Sequence, residues 1–387
     1  MKIIVATPLY PPEVDNIAIY VKEVAERLRN KEDIVIAAYA STAEKIPGVT
    51  LLTTDKRRPL PVRLFQYTIM LFKASRNADI IYAQNAVAVG LPAIIVHWLL
   101  KIPVVLNFTE DESWKRAKNL HLTNQPFKEF LNLPQANLKI RLIMRLQGWI
   151  LRRASIIITP SRALANLITA AYLIRPARVF INYRPPEKPE ILPFNIQPVP
   201  HQIIAAGPLV KWTGIAAIIR AAALLKKEFP DVRLLIAGNG PEKTNLKELA
   251  QKLGISNYVI FLGYVSRPEN WYIRKTSQVY THNYISQDLS GTILTSFSAQ
   301  TPVIAAKTPA TNEIISHGQT GLLVKPDDEK EIAQEIARIF KDETLRAKII
   351  DGMRKTLDEK LSWNNHIRKL VNLFESIQKN NYASKQS

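Results

Sequence analysis

Cysteine is absent from the 387 residues, which excludes disulfides, thiolate metal sites and cysteine nucleophiles and fits a reducing, cytoplasmic setting. Histidine is sparse as well, and its six copies show no paired ligand spacing, so no metal or other cofactor is expected. Glycine is held to 13 residues, about half of average usage. That shortage bears on function, because phosphate-binding loops depend on glycine to bring backbone amides close. Acidic residues are in deficit, 33 against 52 Lys and Arg, for a net charge of +19. The excess is uneven: residues 1–200 hold 27 basic against 15 acidic side chains, and 101–184 hold 14 against 4. Such a field favours phosphorylated ligands or anionic lipid surfaces. With no recognisable nucleic-acid module, nucleic acid is not an expected partner.

Long apolar runs are also missing. The opening "MKIIVATPLYPP" is too short for a secretory hydrophobic segment and reads as a first strand. Ile80 to Leu100 carries no charge and has the length of a bilayer span. Gln84, Asn85, Gly90, Pro92 and His97 interrupt it, however, and divide it into a strand, a loop and a helix.

What is present is a soluble composition, 47% hydrophobic and 22% charged, on a chain long enough for two domains. Short β-branched runs alternate with helical patterns. Ile3–Ala6, Ile34–Ala38, Ile80–Ala83, Val104–Phe108 and Ile156–Thr159 read as buried strands, and "IAIYVKEVAERLRN" and "LKIRLIMRLQGWILRRA" as helices. Ser161 is placed to cap the helix "RALANLITAAYL". "NYRPPEKPEILPFNIQPVPHQ", with six prolines and no glycine, reads as a stiff linker. A second alternation follows through "IIAAG", "VRLLIAG", "YVIFLG", "QVYTH", "PVIAA" and "GLLV", and three helical stretches close the chain. The expected division is a first Rossmann-like domain over 1–185, a linker over 186–202, a second Rossmann-like domain over 203–365 and a final helix and tail over 366–387. Strand–helix alternation of this kind implies parallel sheets covered on both faces.

Taken in order, "ATPLYPPEVDNIAIYVKEVAERL", "AAGPLVKWTG", "LLIAGNGPE", "VIFLGYVSRPE", "HNYISQDLSGTILTSFSAQTPVIAA" and "NEIISHGQTGLLV" resemble the family 4 glycosyltransferases across nearly the whole chain. The resemblance implies an α/β fold of the GT-B type, two facing Rossmann-like doubly wound domains with a cleft between them. It further implies transfer of a sugar from a nucleotide donor with retention of configuration and without a required metal. A glycan or lipid-linked molecule is the expected acceptor.

The family's charged grip on the donor is replaced here. Pro208 and Thr213 stand at the positions of its Arg and Lys, Gln287 and Thr295 at those of its two glutamates. Asp15–Asn16 and Pro309–Ala310 replace its glycine pairs. A catalytically inactive relative serving as scaffold for a partner glycosyltransferase is therefore the alternative expectation. The donor-side residues that the resemblance leaves are Gly207, Gly238, Asn239, Gly240, Leu262, Gly263, Gln287, Ser290, Gly291, Thr292 and Thr295, with Lys211 in place of a lost cation. Ser290 reads equally as a helix cap, the glycines as turns required by geometry, and Lys211 as a solvated charge. Asp111, in "NFTEDESWKRA", is the expected group for an acceptor hydroxyl; three consecutive acids also read as a loop capping the next helix. Finally, "KRRPLPVRLFQYTIMLFK" and "LKIRLIMRLQGWILRR" mix basic and large apolar residues at helical spacing. They read either as core helices with a basic outer face or as peripheral contacts with an anionic membrane on its cytoplasmic side.

Overall fold

The computed structural model describes residues 1–13, 15–132, 137–186, 197–284 and 291–386, the last five without their side chains. The chain divides into two compact units. The first takes Met1–Thr123, Leu131–Tyr183 and Asn364–Ser387, and the second Asn124–Phe130 and Arg184–Trp363.

Seven strands build the sheet of the first unit: β1 (Lys2–Thr7), β2 (Asp33–Tyr39), β3 (Thr50–Thr54), β4 (Ile80–Ala83), β5 (Val104–Asn107), β6 (Ile156–Thr159) and β7 (Val179–Ile181). Their order is β3-β2-β1-β4-β5-β6-β7, with every pair parallel. The second unit holds β8 (Val199–Ala206), β9 (Arg233–Ala237), β10 (Val259–Gly263), β11 (Ser277–His282), β12 (Val303–Ala306) and β13 (Leu322–Val324) in the order β10-β9-β8-β11-β12-β13, again all parallel. Each sheet therefore reverses direction once, between β1 and β4 and between β8 and β11. In doubly wound sheets of this order, ligands gather at the carboxyl ends of the strands on either side of that reversal.

The strands form where β-branched residues run uninterrupted, because both faces are covered. Ile3, Ile4, Val5, Ile34, Ile36, Ile80 and Ile81 are fully buried. β3 and β7, which the apolar runs do not announce, are edge strands: Thr50–Thr54 runs from exposed through half-buried to a buried Thr54, and Val179–Ile181 is half-buried throughout.

Helix ends follow local capping chemistry. Ser161 accepts from the Leu164 amide as expected. Ser266 and Glu269 form a capping box at Arg267–Lys275. Asp342 closes Glu329–Lys341 and opens Glu343–Glu359. The last helix, Trp363–Gln386, belongs to the first unit. It is fixed there by the fully buried Leu370 and Phe374, the latter edge-on to Tyr82, and by His366. The His366 Nε2 lies 2.8 Å from the Tyr20 hydroxyl and its Nδ1 2.9 Å from the Tyr183 carbonyl. Burial of the two apolar side chains contributes about 1.5–3 kcal/mol each.

Candidate functional site

In the second unit the scarce glycines converge on the carboxyl edge of the sheet. Gly207 follows β8, Gly238 follows β9 and Gly263 ends β10, with φ of 149°, 147° and 72°, a backbone region open to glycine alone at low cost. They interlock. The Gly207 amide donates to the Ala237 carbonyl at 2.9 Å and the Gly238 amide to the Gly263 carbonyl at 2.7 Å. A methyl group on Gly238 would stand 1.8 Å from the Gly207 carbonyl oxygen, and one on Gly240 2.3 Å from that of Leu209. These turns are thus held by backbone against backbone. Asn239 is exposed, its carbonyl receiving the Leu209 amide and its side chain the Lys243 ammonium. Leu262 keeps about a third of its surface.

The reversal point itself is occupied by an aromatic group that sequence reasoning missed. Tyr284, just past β11, is buried, and its hydroxyl donates to the Ala206 carbonyl at 2.8 Å. That hydroxyl lies 1.2 Å from where a Gly207 side chain would begin. The Tyr284 ring lies 4.0 Å from that of His282 and meets Trp212 edge-on at 5.8 Å. Behind it, Tyr280 donates its hydroxyl to Thr292 Oγ1 at 2.8 Å and sits 2.9 Å from His282 Nδ1.

Arg274 lies beneath this group with no exposed surface. It donates to Ser296 Oγ and to the Asn270 carbonyl, its guanidinium is 4.6 Å from the centre of the Tyr280 ring, and Nη2 has no hydrogen-bond partner. Burial, reinforced by this cation, holds the His282 pKa down at about 3, so the imidazole is neutral. The only sequence signal for the cluster is a His in the apolar strand Ser277–His282; Arg274, on the polar helix Arg267–Lys275, gives none.

Gly291 opens the helix Gly291–Ala299 and is exposed, with nothing within 4 Å of where a side chain would start. The first-turn amides have no intrahelical acceptor, which makes this end electropositive. Thr292 and Thr295 follow on the same helix, Thr295 turning its hydroxyl back to the Gly291 carbonyl. Gln287 and Ser290 lie outside the described residues.

The two substituted cation positions behave differently. Pro208 is exposed, whereas Thr213 is fully buried and bonded to the Val210 carbonyl. Lys211 is exposed and has no ion-pair partner among the described residues. It lines a hollow of about 290 Å³ with Trp212, Glu242, Pro241, Asn124 and Gln125. At the turn Pro309–Ala310, Ala310 is buried and Pro309 exposed.

In the first unit, Asp111 takes the capping part that its run of acids also suggested, not the acceptor role. It caps the helix Glu112–Asn119 and is 1% exposed. One carboxylate oxygen receives the Ser113 hydroxyl and the Trp114 amide, the other the Gln147 side-chain amide and the Tyr172 hydroxyl. Fully engaged and enclosed, it offers nothing to a reacting hydroxyl. Its neighbour Glu112 is half-buried and receives the Asn85 side-chain amide. Burial raises the Glu112 pKa, against the pull of Lys115 and Asn85. Asn85 follows β4, and Glu112 stands just beyond β5. The buried Gln84 beside Asn85 accepts from the Asn107 side-chain amide, and its own amide nitrogen has no hydrogen-bond partner. Across the reversal, Asp15 accepts from the Ile17 amide at 2.7 Å and opens the first helix with its own negative charge.

A family model described as glycosyl transferases group 1 matches residues 190–356, and one described as a glycosyl transferase 4-like domain matches 17–184. An uncharacterized glycosyltransferase of Methanocaldococcus jannaschii is 28% identical over 181 residues, 47% of this chain and 46% of that protein. The alpha-monoglucosyldiacylglycerol synthase of Streptococcus pneumoniae is 26% identical over 348 residues, 84% of this chain and 75% of that protein. The chain thus spans less than half of the first relative and three quarters of the second. Among solved structures, HepE of Anabaena in complex with UDP superimposes with a TM-score of 0.69 at 17% identity, covering 97% of this chain and all of that one. Sucrose-phosphate synthase of Thermosynechococcus elongatus does so at 0.68 and 14%, covering 97% and 99%. Likeness at such identity establishes the fold.

Proposed function

The chain belongs to the family 4 glycosyltransferases, and from that membership we propose that it transfers a sugar, with retention of configuration, from a nucleoside diphosphate donor to a glycan or lipid-linked acceptor. The observation that carries this reading is the start of the helix Gly291–Ala299, with an exposed Gly291, at the reversal point of the second sheet. A diphosphate leaving group gains negative charge as the sugar departs, and the amides at a helix start are suited to receive it. Lys211 is the nearest exposed substitute for the missing cations in the turn after β8. UDP sits in HepE, and a nucleoside diphosphate is the class of ligand we assign here.

On the acceptor side we assign the role expected of Asp111 to Glu112. A carboxylate whose pKa is raised by burial, steadied by Asn85, is suited to hold an acceptor hydroxyl and ease its proton away. Glu112→Gln is expected to lower kcat by roughly 10²-fold with the melting temperature unchanged. Asp111→Asn should instead lower stability by about 1–3 kcal/mol, because its amide cannot accept from all four donors. Steady-state kinetics and thermal melts on both variants check the assignment. The reverse pattern would return the role to Asp111.

A second reading is favoured by Thr213, a buried neutral group at the position of the family's Lys, and by Tyr284, whose hydroxyl is spent on the Ala206 carbonyl at the reversal point. On that reading the chain is an inactive scaffold for a partner transferase. Thermal unfolding against UDP, GDP and ADP and their sugars separates the two. A bound ligand at a hundred times its Kd adds about 2.7 kcal/mol. Stabilisation by one nucleotide class supports transfer; unchanged melting with every nucleotide at millimolar concentration supports the scaffold.

A further inference from the structure

Arg274 is a charge that the packing of the second unit does not account for. It has no exposed surface, and the two groups that accept from it, Ser296 Oγ at 2.9 Å and the Asn270 carbonyl at 3.0 Å, are both neutral. Nη2 is buried with no hydrogen-bond partner. A guanidinium does not shed its proton, so a whole positive charge stands inside the unit against neutral groups and the face of Tyr280. An enclosed charge without a counter-charge destabilises a fold. We propose that Arg274 is the positioning cation of the diphosphate site, acting from inside the unit through the first turn of the helix Gly291–Ala299. This role rests on the transferase reading above and adds to it a full positive charge at the site.

Three contacts connect the guanidinium with that turn, and all meet at Thr292. Ser296 Oγ, which accepts from Arg274 Nε, donates in turn to the Thr292 carbonyl at 3.1 Å. Tyr280, whose ring centre is 4.6 Å from the guanidinium, donates its hydroxyl to Thr292 Oγ1 at 2.8 Å. His282 Nδ1 lies 3.4 Å from the same Thr292 oxygen. That imidazole already feels the charge: after burial itself, Arg274 is what lowers its pKa.

The helix has no charge of its own, since "GTILTSFSA" contains neither acid nor base. Its start amounts to about half a positive charge. A guanidinium behind it adds a whole one, and an enclosed cation is screened by salt far less than a surface lysine. Pro208 and Thr213 leave the surface without its two expected cations; Arg274 keeps one beneath it. A diphosphate gains from that arrangement, whereas an uncharged nucleoside does not. If Arg274 served packing alone, its removal would weaken the fold and every ligand together.

The test is titration calorimetry of the full chain with UDP, GDP and ADP, and with the nucleoside of whichever diphosphate binds. Arg274→Met is expected to weaken diphosphate binding about tenfold, the effect of one charge acting through several ångströms of protein, and to leave nucleoside binding unchanged. Its urea midpoint should equal or exceed the parent's, because Met fills the place of the aliphatic stem without burying a charge. Arg274→Lys, which keeps the charge, should hold diphosphate affinity within about threefold of the parent. Equal diphosphate affinity in the parent and Arg274→Met would overturn the proposal. So would a lowered urea midpoint with nucleoside and diphosphate weakened alike in both variants, the pattern of a structural arginine. A parent that binds none of the three diphosphates at millimolar concentration would overturn the transferase reading itself, and with it the site to which Arg274 is assigned.

Discussion

Gly207→Ala is expected to destabilise the second unit by about 2–6 kcal/mol. Two costs combine. At φ +149° a β-carbon is strained, at about 1–3 kcal/mol, and overpacking a closed site typically adds about 1–3 kcal/mol. The clash is severe: the new methyl would stand 1.2 Å from the Tyr284 hydroxyl and 2.6 Å from the ring carbon that bears it. Tyr284 cannot swing aside cheaply, because its ring lies against His282 and its hydroxyl is spent on the Ala206 carbonyl.

The partner of the clash can be removed separately. Tyr284→Ala alone should destabilise by about 3–5 kcal/mol through the cavity it leaves. In the double variant Gly207→Ala, Tyr284→Ala the methyl meets open space, and only the backbone strain remains of its cost. The two substitutions should therefore couple favourably by about 1–3 kcal/mol. Urea unfolding of the parent, both single variants and the double variant measures that coupling. Strict additivity would mean that the tyrosine does not occupy the reversal point, and the crevice would then be open to a ligand as in an unmodified donor site.

That outcome matters because Tyr284 decides how the donor side is understood, and nothing local in the sequence points to it. "HNYISQ" shows a tyrosine after a strand; that its hydroxyl reaches over Gly207, 77 residues earlier, depends on β8 and β11 being neighbours. The parallel sheets, by contrast, were legible wherever both faces of a strand are buried, since the apolar run is then continuous. β3 and β7 escaped because edge strands carry mixed exposure. Asp111 and Glu112 illustrate a finer limit. In "TEDES" any of three acids suits chemistry, but the first helical turn selects. The cap position turns the Asp111 side chain inward onto the Trp114 amide, and the next residue, half-buried, meets Asn85. Ser113 and Trp114 following an aspartate were the signal for a cap. Arg274 was illegible for another reason: an arginine on the helix Arg267–Lys275 looks like a solvated charge until the Tyr280 and Ser296 side chains are placed around it.

Arg274 also makes His282 the group through which acid should unfold the second unit. His282 is 3% exposed, and Arg274 is the full charge that bears on it; Tyr280 and Tyr284 beside it are phenols whose pKa values burial raises, so they stay neutral in acid. The folded-state pKa is about 3 against 6.5 for a free histidine. Between those values the unfolded chain binds a proton that the folded chain refuses, so stability rises with pH across the window and falls as pH drops through it. At 1.36 kcal/mol per pH unit the full window is worth about 5 kcal/mol, with no loss above pH 6.5. His282→Gln keeps a polar group toward the Tyr280 hydroxyl and removes the titration. The stability difference between parent and variant, read from urea midpoints at pH 7, 6, 5 and 4, should therefore shift toward the variant by about 1 kcal/mol for each unit below 6.5. Glu112 titrates in the same region with the opposite sign, since its raised pKa favours the folded state in acid, but it is common to both proteins and cancels in the comparison. A pH-independent difference would mean that protonated His282 is tolerated beside Arg274, and the cluster would then have to be open to water.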